Sequence, residues 1–235
     1  MNSTDSLMKF IIKMERKMKK IVCVILILVL CLSSVSCSSP KEKEFNSAKE
    51  AYELLVESDQ NCQAMLAAIY NAWHFYIYEG SDYKEEYAKN MFSDDVFNDA
   101  LNDFCEQTGL IRSVVLSSVD QYLESSGEKT TDLNRLIIIC GNYAMDIVIL
   151  AYTNAGVCDD IEKAMNSAKE SMKSLTLEYD NYTGYSILRS YYTEISSCFE
   201  FCESLNCSFN QLVTIKDNYE TNLRKYKNEL DFIFS

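Results

Sequence analysis

Proline, glycine and histidine are scarce in this 235-residue chain, which has one Pro, six Gly and one His. An all-β sandwich or barrel turns about every ten residues, and most of those turns ask for Gly, Pro or an Asn-Gly pair. Too few are present, so all-β folds are excluded. Phosphate-cradling loops go with them, since the dinucleotide fingerprint and the P-loop need clustered glycines and no two here are near neighbours. A lone imidazole, His74, removes most catalytic arrangements built on histidine, and the chain has no G-x-S-x-G, H-E-x-x-H or E-x-x-H motif. What is plentiful is acid and tyrosine: 35 Asp and Glu against 22 Lys and Arg, with 16 Tyr.

The first forty residues read as an address label. Met18-Lys19-Lys20 is followed by the apolar run Ile21 to Leu32 and then by Ser33-Ser34-Val35-Ser36-Cys37-Ser38-Ser39-Pro40. A basic start, an apolar stretch and a small-residue exit make a secretory signal peptide over residues 1–36. Twelve helical residues rise only about 18 Å against the roughly 30 Å of a bilayer core, which disfavours an uncleaved anchor. The triplet Glu15-Arg16-Lys17 can be encoded entirely by purines, as a ribosome-binding site is, so Met18 is the expected start. The residues around Cys37 resemble the lipobox of bacterial lipoproteins. That resemblance implies an export signal ending at Cys37, diacylation of the Cys with palmitate-class chains, and a tether over 37–46. Two acyl chains hold a protein stably to a bilayer. Ser34 stands where the family has an aliphatic residue, and small residues at 34 and 36 equally suit an ordinary signal peptidase, whose product would be secreted and soluble.

Residues 1–36 carry six basic and two acidic side chains, so residues 37–235 keep 16 basic and 33 acidic groups and a net charge of −17. A surface of that sign repels phosphate backbones, which excludes nucleic acid as a partner. It also repels anionic headgroups, so the expected membrane contact is the N-terminal lipid alone. Seven cysteines follow Cys37, at 62, 105, 140, 158, 198, 202 and 207, and an odd number cannot all pair. No C-x-x-C occurs and the single His is distant, so neither a structural metal nor a cofactor is expected. Cys62 and Cys140 fall in apolar stripes as small hydrophobes. The pair to test for a disulfide is Cys202 with Cys207, flanking a hairpin turn.

Apolar residues recur every three or four positions through most of residues 47–235, and five of the six glycines fall where that pattern breaks. The spacing predicts an all-α antiparallel bundle of five or six long helices in one domain. The first helix is expected over Ser47–Glu79, capped by Ser47-x-x-Glu50, with a stripe through Ala48, Tyr52, Leu55, Cys62, Leu66, Ile69, Trp73 and Tyr76 from which Asp59 alone stands out. A second region, 94–125, is expected to bend near Gly109. The third, Asp132–Asn154, is the most apolar and is expected as one central helix. A fourth spans Asp159 to Tyr179, and the last two, Ser186–Ser204 and Phe209–Phe234, form an antiparallel pair with a capping box at Ser208-x-x-Gln211.

Three groups are candidates for chemistry. Tyr70, Trp73, His74 and Tyr76 offer stacking faces and one titratable ring for a flat ligand, or else form the aromatic end of a core helix. Asp95, Asp99 and Asp103 stand in line as a weak cation site or a solvated face near a helix start. Asn142 and Asp146 form either a buried proton-handling pair or a polar stripe facing solvent. The Ile69-to-Phe75 segment and the Tyr-spaced last helix ending Leu230-Asp231-Phe232-Ile233-Phe234 resemble those of uncharacterised helical exported proteins of Gram-positive bacteria. The resulting expectation is a non-catalytic, lipid-anchored protein on the outer face of the cell membrane that presents a helical bundle to a protein partner in the envelope. A ligand-binding or sensing lipoprotein using the Trp73 cluster is the alternative.

Overall fold

The computed structural model describes residues 40–90, 93–173, 175 and 183–235; the signal peptide expected over 1–36, the lipidation expected at Cys37, and Tyr179 lie outside the described residues. Helix α1 (Pro40–Tyr78) opens on the chain's one proline. A first helical turn tolerates Pro well, because the missing N–H would have no partner within the helix and the ring presets φ. The helix therefore starts upstream of Ser47, and the capping box expected at Ser47 is not used. Along α1 the fully buried line runs through Ala51, Leu55, Cys62, Met65, Ile69, Ala72 and Phe75. Trp73 and Tyr76, expected on that line, sit beside it and are half-buried. A straight helix drifts about 20° per heptad from a 3.5-residue repeat, so a stripe extrapolated over four heptads ends one position off.

Eight further helices complete the described bundle, with no strand among the described residues. They are α2 (Gly80–Lys89), α3 (Asp94–Thr108), α4 (Arg112–Ser126), α5 (Asp132–Ile139), α6 (Ala144–Asn154), α7 (Val157–Lys173), α8 (Thr183–Glu203) and α9 (Phe209–Phe234). The architecture is the all-α bundle expected from the periodicity, cut into shorter pieces. Ser93, Thr131 and Ser208 accept backbone N–H bonds as N-caps of α3, α5 and α9, and the Ser208–Gln211 capping box forms in full. Gly109 ends α3 in the left-handed conformation, at the expected bend.

The expected central helix is broken. Helices α5 and α6 meet at 98°, joined through Cys140 and Gly141. A Cβ on Gly141 would lie 2.3 Å from the Ile137 carbonyl oxygen, so only glycine lets the chain turn this tightly. The break has an energetic reason: Leu136–Cys140 and Ile147–Ala151 are both nearly continuous apolar runs, and one straight rod cannot cover both. After the turn α5 packs against α3 and α4 while α6 packs against α4 and α7. Among the described residues no single helix is long and apolar enough to cross a membrane.

Helix α1 is shared by two groups of partners. Tyr191 on α8 reaches Asp59 and Cys198 on α8 interacts with Cys62, so α8 runs in the same direction as α1; α9 returns and brings Phe234 to Phe45, with ring centroids 5.6 Å apart. Around the other end of α1, Phe75 meets Tyr83 of α2 and Phe104 of α3, at 5.9 and 5.6 Å between centroids. Helix α2 starts directly on the end of α5, where a Cβ on Gly80 would come within 2.5 Å of the Cys140 carbonyl oxygen.

Candidate functional site

The aromatic group of α1 is divided by the helix geometry. Tyr70 stacks on Phe209 of α9, with centroids 5.5 Å apart and planes 18° apart, and Trp73 meets the same ring edge-on at 5.8 Å. These two rings seat the start of α9, and Lys216 lies 5.5 Å over Tyr70. His74 lies between the rings of Tyr70, 6.3 Å away, and of exposed Tyr78, 4.4 Å away. Tyr76 packs against the core without joining either set. Three of the four residues named from sequence therefore form a helix-docking contact and an exposed edge, the fourth packs on the core, and none lines a cleft described below.

The acidic line of α3 is likewise resolved into ordinary roles. Asp95 and Asp99 are exposed near the helix start, where the dipole favours carboxylates. Asp103 accepts a short hydrogen bond from the Tyr83 hydroxyl and ties α2 to α3. Asn142 and Asp146 are exposed, as the solvent-stripe reading requires. Among the described residues no group of three or more His, Cys, Asp and Glu is placed to hold a metal ion.

The polar chemistry inside the bundle lies where sequence reasoning did not look. Asp59 sits on the buried line of α1 with 1% of its surface exposed. Its two carboxylate oxygens are claimed separately: Tyr191 donates to one at 2.6 Å, and Gln63 donates to the other at 2.5 Å. Two turns earlier, Tyr52 donates to Asp231 of α9, which also pairs with Lys227 at 2.8 Å. Burial and then the Asp59 bond push the Tyr191 hydroxyl far up in pKa; burial and then Asp231 do the same for Tyr52. Lys227 first, and Tyr52 second, hold the Asp231 carboxyl below its usual range. The signal for Asp59 was available as the one polar break in an otherwise apolar stripe; its partner, 132 residues away, was not.

Next to this seam the thiols of Cys62, Cys158, Cys198 and Cys202 converge from α1, α7 and α8. The bond to Cys198 comes first, and burial second, in raising the Cys202 thiol; burial leads for Cys62. Thiols held protonated are poor nucleophiles and poor ligands. Cys202 and Cys207 are both free, with Cys202 fully buried and Cys207 half-buried in the connector.

Several open clefts mark the surface. The largest described, about 390 Å³, lies between α4 and α6 and is lined by Tyr122, Asp146, Ile149 and Glu203 among others. Its walls desolvate Asp146 and Glu203 and raise both carboxyls; Glu162 and Glu200 add to the rise at Glu203. A neighbouring cleft of about 330 Å³ shares Tyr122 and reaches Glu128 and Tyr143. Another is bordered by Glu79, Asp82 and Glu86, and a fourth by Glu162, Glu200 and Glu203. A fifth, about 330 Å³ between α7 and α8, has Lys169, Lys173 and Arg189 around Met172, Tyr185 and Tyr192. In the cleft of Glu162, Glu200 and Glu203 the Ser196 hydroxyl donates to Glu200 at 3.1 Å, one turn along the exposed side of α8. Comparison of the chain with protein-family models, with curated proteins and with solved structures gives no match.

Proposed function

We propose that this protein is a non-catalytic, lipid-anchored surface protein: Cys37 carries the acyl chains, residues 37–46 are the tether, and the helical bundle is presented to a protein partner in the cell envelope. The observation that carries this reading is the order of the N-terminal segment, a basic start, a short apolar run and small residues ending at Cys37. Support also comes from the bundle, whose described buried hydrophobic residues all lie between Ala48 and Phe234. The polar groups inside are spent on each other, Asp59 on Tyr191 and Asp231 on Tyr52, as in a scaffold. Loss of the membrane fraction on Cys37→Ala substitution, with metabolic labelling by an acyl-chain precursor lost at the same time, is the expected outcome. Unchanged membrane association would remove the anchor. Cross-linking on intact cells then identifies what the bundle touches.

A second reading keeps the half-exposed edge of Trp73, His74 and Tyr78 as a ligand-sensing surface. Since Trp73 is the only tryptophan, a ligand bound there would quench the intrinsic fluorescence, and an unresponsive signal across small-molecule candidates removes this reading.

A further inference from the structure

The net charge of −17 forecasts a domain that keeps clear of anionic membranes, yet the charge is not evenly spread. Four of the clefts described above are bordered by at least one carboxylate. The α7–α8 cleft has none among the described residues: its described charged groups are Lys169, Lys173 and Arg189, set around apolar and aromatic walls. Arg189 is held in place. Its Nε donates to the Tyr185 hydroxyl at 3.1 Å, and its guanidinium carbon lies 4.7 Å over the Tyr185 ring. Tyr185 is itself buried and reaches the Met172 carbonyl at 3.5 Å. No carboxylate among the described residues bonds to Arg189, which is exposed and whose planar guanidinium suits a phosphate. Lys173 has only an exposed pair with Glu170, a contact that solvent leaves nearly worthless.

The position of this cleft gives it a partner. Tyr185 and Met172 lie at the end of the bundle where α1 enters, as shown by the Tyr191 contact with Tyr52 and the Phe234 contact with Phe45. Phe45 is eight residues from Cys37, a span of no more than about 28 Å even if fully extended. At the same end Phe232 exposes 87% of its surface, the highest of any large hydrophobic residue described. We propose that this end makes a second contact with the membrane, with the phosphate of an anionic phospholipid headgroup in the cleft of Lys169, Lys173 and Arg189 and the Phe232 ring in the interface. The contact rests on the anchored reading for its orientation, and it sets the bundle upright on its tether with the α2–α6 end outward.

The test uses residues 44–235, which hold every buried core residue among those described and lack Cys37. Co-sedimentation is measured with phosphatidylcholine vesicles and with vesicles containing phosphatidylglycerol. Stronger sedimentation with the anionic vesicles, falling as salt is raised, is expected. Each basic residue near an anionic surface is worth roughly a fivefold change in partition, so joint Lys169→Gln, Lys173→Gln and Arg189→Gln substitution should cost at least about tenfold. Phe232→Ser should cost about threefold on both vesicle types. Lys129→Gln, at the other end, should change nothing. Equal sedimentation with both vesicles, or full binding by the triple variant, would overturn the proposal, as would displacement by millimolar inorganic phosphate, which would make the cleft a site for free anion. Should the excised segment fail to fold by circular dichroism, the same variants are compared in the full lipidated chain by protection of position 232 from an aqueous label on the two vesicle types. Equal labelling on both would then count against it. Because the segment lacks Cys37, failure here leaves the Cys37→Ala fractionation to judge the anchor separately.

Discussion

The two ends of α1 are stabilised by different means. Around its first half, α7, α8 and α9 are pinned by tyrosine-to-carboxylate bonds and a set of protonated thiols, and those polar groups lie at or beside the buried line. Around its second half, α2 to α6 close on rings and aliphatic side chains, and the charged ties stay nearer the surface, such as Arg135 with Asp120, while the buried Ser118 accepts from Asn154. The first arrangement is directional. A buried carboxylate accepts bonds only along certain lines, so Asp59 and Tyr191 fix the register of α8 on α1. The second depends on close fit, with backbones touching at Gly80 and Cys140.

Substitutions can break the contrast. Phe75→Ala empties the packed centre of the α2–α6 half and should cost about 3–5 kcal/mol in urea unfolding. Hydrogen exchange on the same variant asks whether the halves unfold together, and protection lost only from α2 to α6 would show that they do not. Tyr191→Phe keeps the ring and removes the hydroxyl, leaving a buried carboxylate oxygen without its donor, for a loss of about 1.5–3 kcal/mol. Gly80→Ala gains about 0.5–1 kcal/mol of helix propensity but drives a methyl group into the Cys140 backbone, so a net loss near 1 kcal/mol is expected. A gain in melting temperature would mean that α2 slides freely on α5.

Two smaller effects sharpen the other side. A thiol reagent at mildly alkaline pH should label the half-buried Cys105 and Cys207 first; burial pushes Cys140 up to about 12, and Cys62 and Cys202 stay protonated, so these three react only after denaturant is added. Early labelling of Cys202 would show that α8 and α9 breathe apart. Asp231 has a depressed carboxyl, so its contribution is present above the usual aspartate range and is lost as pH falls through the lower, folded value. Its side chain is about half exposed, and solvent screening keeps the effect under about 0.5 kcal/mol. Asp231→Asn should flatten acid unfolding by that amount and leave stability at neutral pH within the same margin.

Much of this was legible in the chain. The buried residues of α8, from Leu188 through Tyr191, Ile195 and Cys198 to Cys202, are those its heptad spacing names. The Ser208 cap and the bend at Gly109 were readable for the same reason, since they depend on neighbours within one helical turn. The candidate site was less legible. Trp73 and Tyr76 were misplaced by one position through accumulated twist, and the basic cleft needs Lys169 and Arg189, 20 positions apart, to face each other.

The sequence by itself determined the helical class, the segment ends set by caps and glycines, and the excess of acid, because each is decided by composition or by contacts along a few residues. Only the tertiary structure decided that the most apolar segment turns through 98°, that Asp59 is matched by Tyr191, and that a basic cleft and a bare Phe232 share the end where the chain enters. Those outcomes depend on which helices come to lie side by side. That choice is made by the packing of whole apolar faces and is written in no single stretch of chain.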